Sequence, residues 1–447
     1  MYRVSTATDQ KLLTAEELGE MDGQEVKVHG MIQRIRRLGW GAFIVLRRHD
    51  GLLQCVIGRE GNEDLIDGFA EEQSIQVTGL VKNAKIKDKS INPNNVEIQV
   101  EEVLTISAPT EHPPVDLSKK ILDLHIDTNL DLRPLSLRHP VERARLKISE
   151  AFACGFAEFL RGQGFTEIRT PKIGVAGAEG GANIFTVDYF GRPAYLAQSP
   201  QFYKQMGVGI YERVFEVGPV FRAEPHQTSR HINEYTSLDF EMGFVKDHTE
   251  VMLMETALLK YCISYLQKTC ADELALLDAD MPVIGEDIPV VTLAEAHEIA
   301  GKITGKDYSQ EPDLEPEEER VLCTYSSENW NSDFVFVTHF PTEKRPFYTK
   351  DDPAVPGTTL SFDLLFRGLE ITTGGQRIND YREQIDKMEA MGLNPDDFKS
   401  YLQAHKYGLP PHGGLAIGLE RITARLLGVD NIRLTTMFPR DVKRLTP

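Results

Sequence analysis

The feature that most constrains this chain is a charged strand end, where the apolar pair Val220 and Phe221 runs into Arg222 and Glu224. A polar loop follows, and a second strand with alternating apolar residues spans 238–242. This pattern predicts an antiparallel hairpin whose arginine lies at a strand end and faces whatever the loop encloses. On these residues alone a nucleotide site and an exposed hairpin with surface charges fit equally well, because short motifs often match by chance.

Two further elements favour the nucleotide site. Residues 413–421 read Gly-Gly-Leu-Ala-Ile-Gly-Leu-Glu-Arg, a glycine-rich strand that runs into a helix and delivers Arg421. Earlier in the chain, a helix predicted over 140–163 is followed by a strand over 165–171 that ends in proline. In this order the three elements resemble motifs one, two and three of the class II aminoacyl-tRNA synthetases. Motif one builds the dimer interface in that class, so the resemblance implies a homodimer.

Composition sets the broad class. A chain of 447 residues with 41% hydrophobic and 26% charged residues is typical of a soluble globular protein with two or three domains. No run of about 18 apolar residues occurs, and the first residues lack the apolar core of a signal peptide, so we expect a cytoplasmic protein with no membrane association. The net charge of −19 argues against broad nonspecific binding to nucleic acid.

The five cysteines show no metal-ligand spacing, and most lie in apolar stretches. We therefore expect reduced and buried thiols. Neither a disulfide framework nor a zinc site is predicted.

The N-terminal part alternates in short segments that predict five strands: 26–30, 42–47, 52–57, 74–79 and 96–100. Five short strands suggest a small barrel, and an OB-fold is the natural candidate, although an SH3-like barrel fits the pattern equally well. Basic residues are concentrated in this region, and we expect them to meet phosphates if the protein binds RNA: Arg34, Arg36, Arg37, Arg47, Arg48, Lys82, Lys85, Lys87 and Lys89.

A Pro-rich stretch at 108–114 predicts a linker after the barrel. We therefore predict an OB-fold anticodon-binding domain over 1–107, a hinge over 108–139 and a catalytic domain over 140–447. The expected fold class is α+β, with the class II catalytic domain built on an antiparallel sheet flanked by helices.

Four further segments narrow the resemblance: 195–204, 345–349, 374–377 and 437–447. Together with the three motifs they resemble the aspartyl-tRNA synthetases of archaeal and eukaryotic type, in subclass b, over essentially the whole chain. The resemblance implies ATP-dependent activation of L-aspartate to aspartyl-adenylate and its transfer to the 3′ end of tRNA(Asp). Whether tRNA(Asn) is also charged stays open at this point.

The resemblance also implies roles for individual residues. Arg222 and Arg421 would be catalytic and bind ATP, Glu224, Arg230, His231 and Glu370 would join them at ATP, and Asp363, Glu370 and Thr373 would hold Mg²⁺. The aspartate would be bound by Glu179, Gln198, Gln201, Lys204, Asp239, Tyr348, Thr373 and Arg377. Within that set, Arg377 and Lys204 would take the side-chain carboxylate, and Glu179, Gln198 and Asp239 would surround the ammonium.

In the barrel the resemblance places Phe43, Gln54 and Glu97 at the anticodon. Gln33 falls where strict members often carry Trp and permissive members often carry His. Since no bulky indole is present there, we lean toward acceptance of both tRNAs.

Several other functions share parts of this pattern. A lysine ligase would place a cationic substrate against Arg377 and Lys204, and an asparagine ligase would gain little from Lys204. A non-catalytic RNA-binding paralogue would lose the catalytic charges, which are all present. An ATP-dependent amidating enzyme related to the catalytic domain would lack the barrel.

Overall fold

The computed structural model describes residues 13–88, 90–175, 183–225 and 228–447. The chain divides into two compact units, one ending at Arg143 and the other beginning at Ala144. The first unit thus contains both the predicted barrel and the predicted hinge. The domain limits at 107 and 139 stay predictions.

In the first unit, the described residues form α1 (Ala15–Gly19), β1 (Glu25–Leu38), β2 (Gly41–Arg47), β3 (Leu52–Gly58), α2 (Glu63–Gly68), β4 (Ser74–Asn83), β5 (Val96–Ser107), α3 (Ile126–Asp131) and α4 (Arg133–Ser136). The strands close into a barrel in the order β1-β2-β3-β5-β4. The predicted OB-fold is therefore confirmed. Helices α3 and α4 lie within the stretch predicted as a hinge.

Strand β1 closes the barrel because it is long enough to pair on both sides. Its residues 25–31 pair with β4, and residues 31–38 pair with β2. Along its first half Val26 and Val28 point into the core, whereas Lys27 and His29 are exposed. The register then shifts between Ile32 and Arg34, which is a β-bulge.

In the second unit, the described residues form α5 (Pro140–Gly162, which begins in the first unit), β6 (Thr166–Glu167), β7 (Ile173–Gly174), β8 (Thr186–Tyr189), β9 (Arg192–Leu196), α6 (Gln201–Tyr211), β10 (Arg213–Phe221), β11 (Glu234–Gly243), α7 (His248–Thr269), α8 (Ala271–Leu276), β12 (Val290–Thr292), α9 (Leu293–Thr304), α10 (Pro316–Trp330), β13 (Phe334–Thr338), β14 (Ser361–Phe366), β15 (Leu369–Arg377), α11 (Tyr381–Ala390), α12 (Lys399–Lys406), β16 (His412–Gly418) and α13 (Leu419–Leu426). Short 3₁₀ helices cover Thr342–Lys344, Pro395–Phe398 and Ile432–Thr435.

Over the described ranges, eight of these strands form one sheet in the order β12-β13-β14-β15-β16-β11-β10-β6. Within this order, the six strands from β13 through β14, β15, β16 and β11 to β10 each pair antiparallel with the next, as predicted. The two edge strands β12 and β6 pair in parallel, so the whole sheet is mixed. Strand β6 is much shorter than the predicted strand over 165–171, because it pairs with β10 only at Val214 and Phe215. Strands β7, β9 and β8 form a separate small sheet.

One face of the large sheet is covered by the apolar sides of α5 and α7. Leu238 and Phe240 of β11 and Leu415 and Ile417 of β16 join this core and are fully buried. Because successive side chains of a strand point to opposite faces, the residues between them lie on the other face. Those residues are Asp239, which the sequence analysis singles out, and the small Ala416.

Of the cysteines, Cys55, Cys262, Cys270 and Cys323 are buried and Cys154 is exposed, and all five are free thiols. Burial raises the pKa of the Cys55 and Cys323 thiols to about 12. Inert buried thiols are thus confirmed at four of the five positions. Among the described residues, no helix combines the length and the apolar character that a membrane span requires.

Candidate active site

Four strands bring polar side chains into one row on the open face of the sheet. Asp239 of β11 lies opposite Ala416 of β16, which lies opposite Thr373 of β15, which in turn lies opposite Asp363 of β14. Residues directly opposite each other in a sheet share a face. The row therefore holds three predicted site residues: Asp239 for aspartate, Asp363 for the metal, and Thr373 for both. The small side chain of Ala416 separates Asp239 from Thr373.

A buried charged cluster extends from this row. Nζ of Lys204, on α6, lies 2.9 Å from Oδ1 of Asp239 and 3.5 Å from Oε2 of Glu241. Nε of Arg377 lies 3.0 Å from Oε1 of Glu241. Two cations and two anions are thus buried together, which compensates much of the cost of removing each charge from water. Ser237 adds a hydrogen bond, with its hydroxyl donating to Oδ2 of Asp239 at 2.5 Å.

Backbone carbonyls complete the cluster. Lys204 donates to the carbonyl oxygen of Leu415 at 2.9 Å, and Nη2 of Arg377 donates to that of Gly414 at 2.9 Å. Burial opposes the charged form of Glu241, yet Arg377 and Lys204 hold its pKa below the ordinary value. Glu241 is therefore ionised at neutral pH.

Gly414 is a requirement of this arrangement. A Cβ atom at this position would overlap the backbone oxygen of Phe240 and the carboxylate of Glu241. The glycine in the predicted motif-three strand thus makes room for a carboxylate on the neighbouring strand, and its role here is steric rather than conformational.

A cavity of about 590 Å³ opens above the cluster. Among the described residues, its charged lining consists of seven Lys or Arg residues and four Glu residues: Lys204, Arg222, Arg230, Lys344, Arg345, Arg377 and Arg421, with Glu224, Glu343, Glu370 and Glu420. Lys204 and Arg377 line the cavity, whereas their partners Asp239 and Glu241 are not among its lining residues. An excess of cations suits a ligand that carries several negative charges.

The two predicted catalytic arginines both line the cavity and come from different elements. Arg222 follows β10 directly, and its guanidinium lies 6.0 Å from the ring centre of Tyr235. Arg421 lies on α13, and its Nη1 donates to the carbonyl oxygen of Glu370 at 3.0 Å. Arg421 also lies 3.7 Å from the Glu370 carboxylate. Although desolvation disfavours the charged form of Glu370, Arg421 holds its pKa below the ordinary value.

The predicted metal ligands meet at this point. The hydroxyl of Thr373 donates to Oε1 of Glu370 at 2.8 Å. Burial, reinforced by the charge of Glu370, raises the pKa of Asp363 to about 7, although Arg345 bonds its Oδ2 at 2.8 Å. Oδ1 of Asp363 is buried and has no hydrogen-bond partner. An orphaned carboxylate oxygen beside a second carboxylate is the donor chemistry that a hard cation needs.

Over the part of the chain that the structure describes, no group of three or more His, Cys, Asp or Glu residues could hold a metal ion. Asp363, Glu370 and Thr373 would therefore supply only part of a coordination shell. This is the usual situation for Mg²⁺, which is held by one or two carboxylates while phosphate and water complete the shell.

The loop between β10 and β11 carries the other residues predicted to bind ATP. Nε2 of His231 lies 3.5 Å from Glu224, and Nδ1 of His231 lies 2.6 Å from the hydroxyl of Thr228. Arg230 forms an ion pair with Glu319 of α10. Glu224, Arg230 and His231 all line the cavity.

The remaining residues predicted to bind aspartate divide into three groups. Gln201 and Tyr348 line the cavity, and Nε2 of the buried Gln201 has no hydrogen-bond partner. Gln198 is buried but is not among the lining residues. Glu179 lies outside the described residues.

In the barrel, the predicted anticodon residues occupy the neighbouring strands β2, β3 and β5. Nε2 of Gln54 donates to Oε2 of Glu97 at 2.8 Å. Phe43 is half-buried and lies outside the barrel core, with its ring 5.4 Å from that of Trp40 in an edge-to-face contact. Trp40 is 53% exposed, and it is a stacking candidate that the sequence analysis missed.

The anticodon role of Gln33 stays a prediction, and the structure shows the side chain buried. Its side chain is 4% exposed, its Nε2 donates to the carbonyl of Leu117 at 2.5 Å, and its Oε1 accepts from Arg47 at 2.6 Å. The physical reason is the β-bulge between Ile32 and Arg34, which breaks the alternation and turns Gln33 inward. Both polar atoms of the Gln33 side chain therefore already have a protein partner.

Glu241 and Arg345 are the functional residues that sequence reasoning missed. Glu241 could have been found, because it stands two residues after Asp239 on one strand and must share its face. No such alternation could identify Arg345, because it does not lie on a strand. It comes from the loop after β13, and its guanidinium packs 3.8 Å from the ring centre of Phe340 before reaching Asp363.

Comparison with known families gives two matches. The model of the class II tRNA synthetases (D, K and N) matches residues 125–442. The model of the OB-fold nucleic acid binding domain matches residues 26–106. The first match covers well over half of the chain.

Individual relatives are similar over almost their whole length. The aspartate–tRNA(Asp/Asn) ligase of Deinococcus radiodurans is 47% identical over 442 residues, which cover 98% of this chain and 99% of the relative. The enzyme of the same name from Thermus thermophilus is 47% identical over 95% of this chain and 97% of its own. Among solved structures, asparaginyl-tRNA synthetase from Pyrococcus horikoshii complexed with asparaginyl-adenylate has a TM-score of 0.88 and 29% identity, and covers 97% of this chain and 99% of that one.

Proposed function

The chain belongs to the class II tRNA synthetases of the D, K and N family, and from this we propose that it is an aspartate–tRNA ligase. It activates L-aspartate with ATP to form aspartyl-adenylate, and it transfers the aspartyl group to the 3′ end of tRNA(Asp). We further propose that it also charges tRNA(Asn), as the names of the Deinococcus and Thermus relatives state for those enzymes.

The observation that carries the choice of amino acid is the pairing of Lys204 and Arg377 at the floor of the cavity. Both cations line it, and each is held from behind by a buried carboxylate, Asp239 or Glu241. Arg377 uses Nε and Nη2 for these bonds, so its remaining nitrogen, Nη1, is the one for a substrate carboxylate. A lysine side chain would meet two like charges here, and the neutral amide of asparagine would gain less than a carboxylate from either.

Adenylate formation requires an oxygen of the aspartate α-carboxylate to attack the α-phosphorus of ATP, while the bond to the β-phosphate breaks and pyrophosphate leaves. Little covalent chemistry falls to the protein, so catalysis consists mainly of positioning and charge neutralisation. Arg222 would bridge the α-phosphate and the α-carboxylate, and Arg421 would bind the terminal phosphate. Planar guanidinium groups suit both tasks, because they bind phosphate with two parallel hydrogen bonds.

Mg²⁺ fits the oxygen donors of Asp363, Glu370 and Thr373, which would hold it. When bound, it supplies positive charge that neutralises the phosphates. The chain's own part is to hold the oxygen donors in place, with Glu370 ionised beside Arg421. Arg345 holds the second oxygen of Asp363 and leaves Oδ1 without a hydrogen-bond partner.

Transfer completes the reaction. The terminal ribose hydroxyl of tRNA attacks the carbonyl carbon of aspartyl-adenylate, and AMP leaves.

The barrel would bind the anticodon through stacking on Phe43 and through hydrogen bonds from Gln54 and Glu97, since single-stranded bases are read by stacking and at their exposed edges. We also propose that the protein is a cytoplasmic homodimer with α5 at the subunit contact.

Asparagine is the one competing substrate that a specific comparison favours, through the similarity to the Pyrococcus asparagine enzyme. That similarity is at 29% identity, against 47% for the aspartate ligases. The decisive experiment is ATP–pyrophosphate exchange with aspartate, asparagine and lysine in turn. We expect exchange with aspartate alone, and a higher kcat/KM for asparagine or lysine would overturn the proposal.

A further inference from the structure

The side chain of Asn233 makes two hydrogen bonds that the proposed mechanism leaves unexplained. Asn233 is the residue before β11 and is 8% exposed. Its Nδ2 donates to the carbonyl oxygen of Arg222 at 2.7 Å and to that of Glu224 at 3.1 Å. One amide therefore fixes the backbone on both sides of Ala223, in the segment that carries the catalytic arginine.

The backbone of Asn233 makes two more bonds. Its carbonyl accepts from the N–H of Arg222 at 2.9 Å, and its own N–H donates to the carbonyl of Arg440 at 2.7 Å. Asn233 thus connects the end of β10 with the C-terminal segment. Four bonds converge on this one residue, and only two of them depend on its side chain.

The C-terminal segment, residues 432–447, is itself anchored. The N–H of Ile432 donates to the carbonyl of Ser229 at 3.0 Å, so the segment contacts the β10–β11 loop at two points. Arg433 and Asp441 form an ion pair at 2.7 Å with side chains that are 8% and 4% exposed. A buried ion pair of this kind fixes the course of the backbone between its partners.

We propose that Asn233 is a positioning residue for Arg222, and that it transmits the rigidity of the C-terminal segment to the catalytic guanidinium. Asn233 does not line the cavity, so it acts through Arg222 rather than on a substrate. The requirement is for an amide. An isosteric carboxylate would point oxygen at two carbonyl oxygens, and alanine would leave both without this donor.

The proposal rests on the proposed function, since it concerns the geometry of adenylate formation. The test is Asn233→Asp in the full-length enzyme, with aspartate-dependent pyrophosphate exchange as the assay. Both main-chain bonds persist in this variant, so the backbone connection to Arg440 is kept. We expect kcat to fall about 10–100-fold, the size expected when a catalytic group is displaced by a fraction of an ångström to one ångström. The KM for aspartate should rise by a much smaller factor than kcat falls, because the Lys204 and Arg377 cluster still binds the side-chain carboxylate.

Asn95→Asp is the matched control. Nδ2 of Asn95 also donates to a backbone carbonyl, that of Gly19 at 2.9 Å, but it lies in the barrel unit. This variant should leave exchange unchanged. Asn233→Ala serves as the second variant, because it removes the donor without adding a charge, and it should show the same fall in kcat.

Three results would overturn the proposal. The first is a kcat within about twofold of wild type in both Asn233 variants. The second is a fall in kcat accompanied by an equal rise in the KM for aspartate. The third is a melting temperature lowered so far in both variants that the catalytic unit is unfolded in the assay, which would make Asn233 a residue of general stability. If instead the wild-type enzyme shows no aspartate-dependent exchange, the proposed function fails before Asn233 is tested.

Discussion

Nε of Arg377 lies 3.0 Å from Oε1 of Glu241, and the two side chains are 6% and 0% exposed. This contact holds the guanidinium in one orientation beneath the cavity. A charge that is fixed before the substrate arrives needs little reorganisation on binding, which is how preorganised sites gain affinity and rate. The first prediction concerns this contact.

Arg377→Lys keeps the charge but cannot keep both of the arginine's hydrogen bonds. We expect kcat/KM for aspartate to fall about 100-fold or more in pyrophosphate exchange, because a lysine ammonium cannot hold Glu241, Gly414 and the substrate carboxylate in the fixed planar geometry of the guanidinium. The KM for ATP should change much less. Arg367→Lys, at an ion pair with Asp333 away from the cavity, is the control and should be silent. Near-normal use of aspartate by Arg377→Lys would show that the side-chain carboxylate binds elsewhere.

The proposed metal ligands make a second prediction. Asp363→Asn and Glu370→Gln each remove an anionic oxygen donor, so the Mg²⁺ concentration for half-maximal exchange should rise at least about tenfold. Glu383→Gln removes a carboxylate paired with Lys350 outside the cavity and serves as the control. Unchanged Mg²⁺ titrations in both ligand variants would mean that the metal is held by other groups.

A third prediction concerns stability and pH. Glu255 of α7 is fully buried, and burial raises its pKa to about 8, while the hydroxyl of Thr372 donates to its Oε1 at 2.6 Å. Because the folded-state pKa lies above the ordinary value of 4.5, the stability that the neutral acid contributes is fully present below about pH 4.5. It is lost as the pH rises through about 8, when the buried group must ionise.

Between pH 5 and pH 8, the free energy of unfolding should therefore fall by about 2–5 kcal/mol less in Glu255→Gln than in the wild type. Urea unfolding of the catalytic unit at both pH values measures this difference. Glu298→Gln, at an exposed ion pair with Lys302, should leave the slope unchanged. Parallel pH profiles of wild type and Glu255→Gln would contradict the assignment.

A fourth prediction separates the two units. Phe43→Ala should weaken the use of tRNA in aminoacylation by about 1–3 kcal/mol, the loss expected for one stacked base. Pyrophosphate exchange should stay intact, because that chemistry belongs to the catalytic unit. Phe190→Ala removes an aromatic ring that is 87% exposed in the other unit and is the matched control. Equal losses in both assays would show that Phe43 supports the fold and not the tRNA.

Much of the fold follows from local patterns in the sequence. The barrel strands were predictable because apolar and polar residues alternate along them, and α5 because its apolar residues recur at helical spacing. The sequence could not show that the edge strands of the large sheet pair in parallel, because such pairing depends on residues far apart in the chain. It also could not show that β6 shrinks to two residues, since β6 pairs with only two residues of the much longer β10.

The site divides in the same way. Arg222, Arg421, Lys204 and Arg377 line one cavity, as the motifs implied, because each stands at a strand end or on a helix that the motif fixes. The burial of Gln33 was not predictable, because one extra residue in β1 reverses the direction of a side chain. In the sequence, a bulge cannot be distinguished from an ordinary buried polar residue, because both only interrupt the alternation of apolar and polar residues.

The most direct test of the whole account is aminoacylation of purified tRNA(Asp) and tRNA(Asn) with labelled aspartate. We predict aspartyl-tRNA(Asp), together with charging of tRNA(Asn) whose kcat/KM lies within about a thousandfold, roughly 4 kcal/mol, of that for tRNA(Asp). A larger preference would make the enzyme specific for tRNA(Asp) and would contradict only the second part. No transfer of aspartate to tRNA(Asp), with transfer of labelled asparagine to tRNA(Asn) in its place, would contradict the central claim.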